Sequence, residues 1–285
     1  MPAYLRPVPL CHLTDEASTK AYPFSLRTGG ERVSRRTRNH LRTVLGLGSD
    51  DRLVMLTLAS WQKPEHGNPD GLRIARGVQE LLFHYLSQLP ANVYVVAVGE
   101  RFDSYGEFPR ERVRCFPPCT PDRFNLLVNA ADLFLSLNIA ATTLTRAVLS
   151  GTPPLVLFNS HSLHDTDDID RLCEDTNLLA EPFLRSWLLK HLPTYPFRMW
   201  PLGFYDFLTP LLTNNPYLAT FPQVELFDAH SVHGALKGML FDRAIRESLE
   251  DERSRYIEAL DGLGETYETF ECMAESIGIL QGGFS

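Results

Sequence analysis

Between residues 52 and 158 the chain alternates short, continuously apolar runs with stretches of helical period. The runs are Leu53–Ala59 (LVMLTLA), Asn92–Gly99 (NVYVVAVG), Arg112–Phe116, Asp132–Leu137 (DLFLSL) and Pro154–Phe158 (PLVLF). None alternates polar with apolar positions, which predicts strands buried on both faces. Between them, Gly71–Leu89 sets Ile74, Val78, Leu81, Leu82 and Tyr85 on one helical face. Thr120-Pro121-Asp122 opens a helix with proline in its first turn, and Thr142–Leu149 is a short helix closed by Gly151. Strands separated by helices predict an α/β fold: a doubly wound, mostly parallel, Rossmann-like sheet.

The flanks read differently. Residues 1–33 hold scattered prolines and glycines and no period, and are expected to form an extended arm or linker. Ser34 is placed to cap a helix with Val33, Leu41, Val44 and Leu45 on one face, ended by Gly46 and Gly48. Arg27, Arg32, Arg35, Arg36, Arg38 and Arg42 make this stretch basic: a solvated face, or a contact for an acidic surface. Beyond Phe158 a polar loop to Asp168 leads into a helix around Leu179–His191, and Phe197–Gly203 reads as a sixth strand with its turn. Phe204–Pro222, rich in aromatics and prolines, is expected to be irregular, and Val224–Phe227 a short extended piece. Amphipathic helices follow at Ser231–Phe241 and Arg243–Leu260. The expected organisation is an arm with a basic helix (1–51), a Rossmann-like domain (52–260) and a helical tail (261–285). Asp242–Glu275 carries eleven acidic and four basic residues, a solvated face or a counterpart to the basic N-terminal region.

Composition narrows the class. The 285 residues are 44% hydrophobic and 22% charged, ordinary for a globular protein and too apolar for disorder. Twenty-seven basic against 35 acidic residues give a net charge of −8, which argues against a general nucleic-acid binder. No window approaches the ~18 continuous apolar residues of a membrane span, and the start lacks a signal peptide's apolar core. Five cysteines without a paired CxxC frame suit a reducing compartment, so a cytoplasmic location is expected.

In a doubly wound sheet, ligands bind beyond the carboxyl ends of the strands, where the strand order reverses. Asn138-Ile-Ala-Ala-Thr-Thr-Leu-Thr145 joins a strand to a helix through small and hydroxyl residues there. Such a turn directs free N–H groups and the positive helix end at an anion; alternatively, Thr142 or Thr143 merely caps the helix. His161, His164, Asp165, Asp167 and Asp168 offer metal-ligand types, but their spacing fits no strong zinc pattern, so no metal is expected. Cys115 and Cys119 straddle Pro117-Pro118 without forming a zinc site, while Trp61 and Trp200 stand at strand ends, where packing or ligand stacking both fit.

The stretch Arg112-Val-Arg-Cys-Phe-Pro-Pro, Leu126, Ala131-Asp-Leu-Phe-Leu-Ser, Ala147-Val-Leu-Ser-Gly-Thr-Pro153 and Leu155-Val-Leu157 resembles the nucleotide-sugar-binding half of GT-B fold glycosyltransferases. Leu5-Arg-Pro-Val-Pro9 is similar to the linker into that half, and Val224–Leu260, with Asp242 and Arg246, to its closing helices. The resemblance implies that Phe116 and Pro118 flank the base and that Ser60 lies near the diphosphate. It implies that Asn138, Thr142 and Thr143 meet the phosphates and that Asn159, His161, His164 and Asp165 lie near the sugar. Two positions depart from the family pattern. Asn138 stands where many members have a phosphate-binding histidine, and an amide still donates to phosphate. Arg146 stands where a glutamate usually holds the ribose; a guanidinium accepts no hydroxyl but pairs with phosphate or carboxylate. Both departures disfavour a retaining reaction.

The function expected is sugar transfer from a nucleoside-diphosphate sugar, inverting and without a cofactor or bound metal, with His161 or His164 as acceptor base. In that family the acceptor pocket comes from an N-terminal Rossmann-like domain, for which residues 1–51 leave no room. An auxiliary half that binds donor and needs a partner chain is therefore a second expectation, and another sugar-nucleotide enzyme such as an epimerase a third.

Overall fold

The computed structural model describes residues 4–11, 21–25, 30–57, 69–99, 105–175, 182–198 and 204–279. Six strands form one parallel sheet: β3 (Arg52–Thr57), β4 (Val93–Val98), β5 (Val113–Phe116), β6 (Leu133–Ser136), β7 (Pro154–Phe158) and β8 (Gln223–Glu225). β1 (Tyr4–Val8) and β2 (Ala21–Ser25) pair in parallel as a separate small sheet. The large sheet runs β5-β4-β3-β6-β7-β8, so chain order proceeds outward one way from β3 and then the other way from β6. Its reversal lies between β3 and β6, the arrangement of a doubly wound fold.

Burial explains the unbroken apolar runs. Val54 and Leu56, Val95 and Ala97, Leu133 and Leu135, and Leu155 and Leu157 belong to one buried cluster. Their neighbours Leu53 and Met55, Val96 and Val98, Phe134 and Val156 belong to a second. Successive side chains on a strand point to opposite faces, so both faces are covered. Core residues of the first cluster come from α2 (Pro69–Ser87), α5 (Thr166–Asp175), α6 (Pro182–His191) and α8 (Ala229–Phe241). Those of the second come from α3 (Pro121–Ala130), α4 (Thr142–Leu149), α7 (Phe204–Leu212) and α9 (Arg243–Asp261).

α1 (Arg35–Val44) begins at Ser34, whose hydroxyl accepts from Thr37 N at 3.1 Å. Its apolar stripe is narrower than the sequence indicates, because Val44 is exposed while Leu41 and Leu45 pack on the second cluster. Two arginines anchor the helix instead. Arg38 Nη2 lies 2.6 Å from Asp132 Oδ1, and Arg42 Nη1 lies 2.8 Å from Asp132 Oδ2. Arg42 also donates to Ala130 O and Asp51 O, and Asp132 Oδ2 accepts from Leu53 N at 2.8 Å. Part of the basic stretch is thus an internal dock rather than a solvated face. Arg32 pairs with Glu250 at 2.5 Å, one contact between the basic N-terminal region and the acidic C-terminal one. Gly151, at φ 75°, permits this approach, since a Cβ there would crowd the Arg32 guanidinium.

Several elements differ from the sequence expectation. The segment read as an arm contains β1 and β2, and the tail helix α10 (Thr266–Ser276) lies on them, with Phe24 and Phe270 rings 5.4 Å apart. The loop expected to run to Asp168 ends at Asp165, and α5 begins at Thr166, because Ile169, Leu172 and Cys173 form a buried stripe. Phe197 makes one antiparallel bridge to Asn159, and Thr194 one to Leu163; the sixth strand of the sheet is β8 instead. Phe204–Leu212 is helical despite Pro210, followed by a short 3-10 turn at Pro216–Thr220. Among the described residues no helix is long and apolar enough to cross a membrane.

Two outcomes follow from this packing. Asp132→Asn keeps the shape but leaves the enclosed Arg42 guanidinium without a counter-charge, and is expected to lower stability by about 3 kcal/mol in denaturant unfolding. His191 is buried against Trp187, with Nδ1 2.7 Å from Trp187 O, and Trp187 Nε1 donates to Gly77 O. Burial pulls its imidazole below the ordinary 6.5, against the Trp187 carbonyl, which favours the protonated form. The folded chain therefore binds this proton less readily than the unfolded one, and stability falls as pH drops through 6.5 and below. His191→Asn, which keeps a donor for Trp187 O, is expected to flatten that slope in melting curves taken between pH 7 and 5.

Candidate functional site

The strand order reverses between β3 and β6, and a doubly wound sheet takes its ligand at the carboxyl ends of the strands at such a reversal. The turn after β6 is tightly wound. Ser136 Oγ donates to Asn138 O and accepts from Asn138 N, both at 3.1 Å, and Ala140 N donates to Asn138 Oδ1 at 3.0 Å. Ile139, fully buried, pins the turn, and its N–H donates to Arg198 O. With Oδ1 occupied, the orientation of the Asn138 amide is set, and its NH2 group has no acceptor among the described residues.

α4 starts directly after this turn. Its N-cap is Ala141, which makes no side-chain cap, so neither Thr142 nor Thr143 caps the helix. Leu144 N and Thr145 N return to Ala141 O, leaving the Thr142 and Thr143 N–H groups without an intrahelical acceptor. These groups and the helix dipole make the end of α4 electropositive. One turn further, Thr145 Oγ1 lies 3.3 Å from the hydroxyl of Tyr217, a phenol that burial pushes above its ordinary value. Arg146 is directed at α3, its guanidinium 5.8 Å from the Phe124 ring centre.

A cavity of about 820 Å³ opens beside β4 and β5, lined by Gly99, Tyr105, Arg110, Cys115, Phe116 and Pro118 among others. Phe116 and Pro118, expected to flank a base, thus line one cavity. Arg123 stacks over Phe116 at 5.0 Å, and the Tyr105 hydroxyl lies 2.9 Å from Cys115 Sγ. Ser60, Trp61 and Trp200 lie outside the described residues. Of the tryptophans only Trp187 is described, and it packs in the core.

The loop after β7 carries the remaining candidates, and two of them serve the backbone. Asn159 is fully buried: Oδ1 accepts from His161 N at 2.8 Å, and Nδ2 donates to His161 O and Tyr195 O. With both ends of its amide occupied, it shapes the loop rather than facing a sugar. Asp165 Oδ1 accepts from Asp168 N at 3.0 Å, and its carbonyl from Ile169 N, so it caps α5. Asp168 accepts from His164 N; this bond first, with the Arg171 charge, holds its carboxyl below the ordinary value although desolvation opposes the shift. His161 and His164 have different neighbours. His164 is exposed, 3.1 Å from Ser162 Oγ, whereas His161 faces Glu225 across 3.9 Å.

Two residues escaped the sequence reading. Glu225 ends β8 and reaches Ser160 and His161; only the pairing of β8 with β7 brings it there. Arg198 lies with its guanidinium 4.2 Å from the Phe158 ring centre and 5.2 Å from that of Tyr205. No spacing in the sequence signals either contact.

Residues 1–278 match the family described as "Family of unknown function (DUF6365)", and the chain belongs to that family. No curated protein matches it. Among solved structures it is similar to WaaG, a glycosyltransferase involved in lipopolysaccharide biosynthesis, at 15% identity and a TM-score of 0.51, over 92% of this chain and 56% of that one. Weaker similarities are to Anabaena HepE, solved with UDP-glucose (12%, TM-score 0.47, 90% and 58%), and to sucrose-phosphate synthase from Thermosynechococcus elongatus (15%, 0.47, 92% and 52%). The chain spans between half and three-fifths of the length of these structures. Its fold is the Rossmann-like fold of GT-B glycosyltransferases.

Proposed function

We propose that this member of the family binds a nucleoside-diphosphate sugar in the crevice at the strand-order reversal and transfers the sugar to an acceptor hydroxyl. The observation that carries the reading is the oriented Asn138 amide beside the uncapped N-terminus of α4. Its free NH2 and the Thr142 and Thr143 N–H groups offer donors at the switch point, where a doubly wound sheet takes its ligand. Hydrogen-bond donors held in place by their own backbone cost no reorganisation when charge develops on a departing diphosphate. The cavity lined by Phe116 and Pro118, with an aromatic and a proline wall, suits the base. His161 is the acceptor base in this reading; His164, Asp165 and Asn159 support the loop that carries it. The step is inverting and routes through no metal, and the location is cytoplasmic.

In this reading the acceptor oxygen bonds to the anomeric carbon as the bond from that carbon to the diphosphate breaks. The electron pair leaves with the nucleoside diphosphate, and the hydroxyl proton passes to the imidazole. A second reading, a donor-binding half that works with a partner chain, rests on Arg146, which stands where the family pattern has the ribose-binding glutamate.

Calorimetric titration of the purified chain with UDP-glucose and dTDP-glucose tests the proposal, with saturable binding of at least one expected. Asn138→Asp, which keeps the Oδ1 acceptor for Ala140 N and removes only the NH2 donor, should raise Kd about tenfold or more, the effect of one hydrogen bond to a charged group, while the turn stays closed. No binding of either nucleotide sugar overturns the donor-site reading. Release of nucleoside diphosphate on incubation supports transfer, and binding without release supports the partner-dependent half.

A further inference from the structure

His161 is held from three sides. Asn159 fixes its backbone through both the N–H and the carbonyl, at 2.8 and 2.9 Å. Its ring faces that of Phe227 at an interplanar angle of 26°, with centroids 6.5 Å apart. Its Nε2 stands 3.9 Å from Glu225 Oε2, within ion-pair range and longer than a hydrogen bond. Such contacts in ligand-free sites commonly tighten when substrate arrives. The other ring nitrogen, Nδ1, has no partner among the described residues.

Glu225 is the last residue of the edge strand β8. Its Oε2 accepts from Ser160 N at 2.9 Å and from Ser160 Oγ at 2.6 Å. Its Oε1 is buried with no hydrogen-bond donor among the described residues. Tying down Ser160 requires only an acceptor oxygen, which a glutamine side chain also carries. A negative charge with unfilled acceptor capacity is superfluous for that task, and it is what an imidazole about to gain a proton requires.

We infer that Glu225 is the positioning residue for His161: it holds the ring in the tautomer protonated at Nε2 and leaves Nδ1 bare to receive the acceptor proton. The inference rests on the sugar-transfer reading of the crevice. When the hydroxyl proton passes to Nδ1, the imidazolium keeps its Nε2–H directed at the carboxylate, whose charge offsets the one just formed. Glu225 itself neither gains nor loses a proton.

The test uses the full chain labelled with ¹⁵N-histidine, the His161 signal being assigned by its loss in His161→Gln. In the wild type, long-range ¹H–¹⁵N spectra of the neutral ring should show the Nε2-protonated pattern. In Glu225→Gln the pattern should become a mixture of tautomers. UDP-glucose hydrolysis, with water as acceptor, should then fall in kcat by about tenfold or more with KM unchanged. Glu225→Asp should recover part of both. An unaltered tautomer in Glu225→Gln, or a raised KM with unchanged kcat, overturns the inference. Should Glu225→Gln not fold, Ser160→Ala decides: it removes the hydroxyl tie and keeps the carboxylate, so the wild-type tautomer is expected and a changed one overturns the assignment. Failure of the wild type to bind any nucleotide sugar would sink the crevice reading separately, while the tautomer comparison would still decide the Glu225–His161 pairing.

Discussion

The carboxylate of Asp132 joins four parts of the molecule at one point. Oδ1 accepts from Arg38, and Oδ2 from Arg42 and from the backbone of Leu53. Asp132 N in turn donates to Leu53 O. The basic helix, the end of α3 and the first residues of β3 and β6 are thereby locked together. β3 and β6 are the two strands that flank the reversal. A slip of one residue between them would turn every side chain to the other face and expose the core of both layers. Asn138 lies beyond the other end of β6, a strand of four residues that spans about 13 Å at roughly 3.3 Å per residue. A constraint at the amino ends therefore sets where the donors at the carboxyl ends stand.

The two asparagines of the candidate site show how burial divides roles between identical side chains. Asn138 uses one end on its own turn and keeps the other free, the condition for a ligand donor. Asn159 uses both ends on the backbone of its loop, and the histidine it supports gains a fixed place instead. The same division separates Glu225, with an unfilled buried oxygen, from Asp165 and Asp168, whose oxygens accept from backbone N–H groups at the start of α5. The site thus consists of a few uncommitted groups held by many committed ones.

The sheet strands β3 to β7 were legible in the sequence because two-faced burial removes polar alternation, and α4 because its boundary residues are small or glycine. α5 was missed although Ile169, Leu172 and Cys173 carry the helical spacing, because the acidic run before them reads as a solvated loop. Residues 204–212 were missed because aromatics and Pro210 outweighed Leu208 and Leu212, which turn out to face the core. At Phe197 and Gln223 both segments are extended, and local pattern cannot say which one joins the sheet. The arginines of α1 were visible as charge, yet their acidic counterpart lies 90 or more residues away in the chain.

By itself the sequence determined the alternation of strand and helix and the small-residue turn at Asn138, since both follow from neighbours within a few residues. Tertiary structure alone decided that Arg38 and Arg42 meet Asp132, that Asn159 is consumed by its own loop, and that Glu225 stands beside His161. Each of these depends on which strands pair and which helix covers them. A carboxylate's role follows from the donors that surround it, and those donors arrive from distant parts of the chain only when the sheet closes.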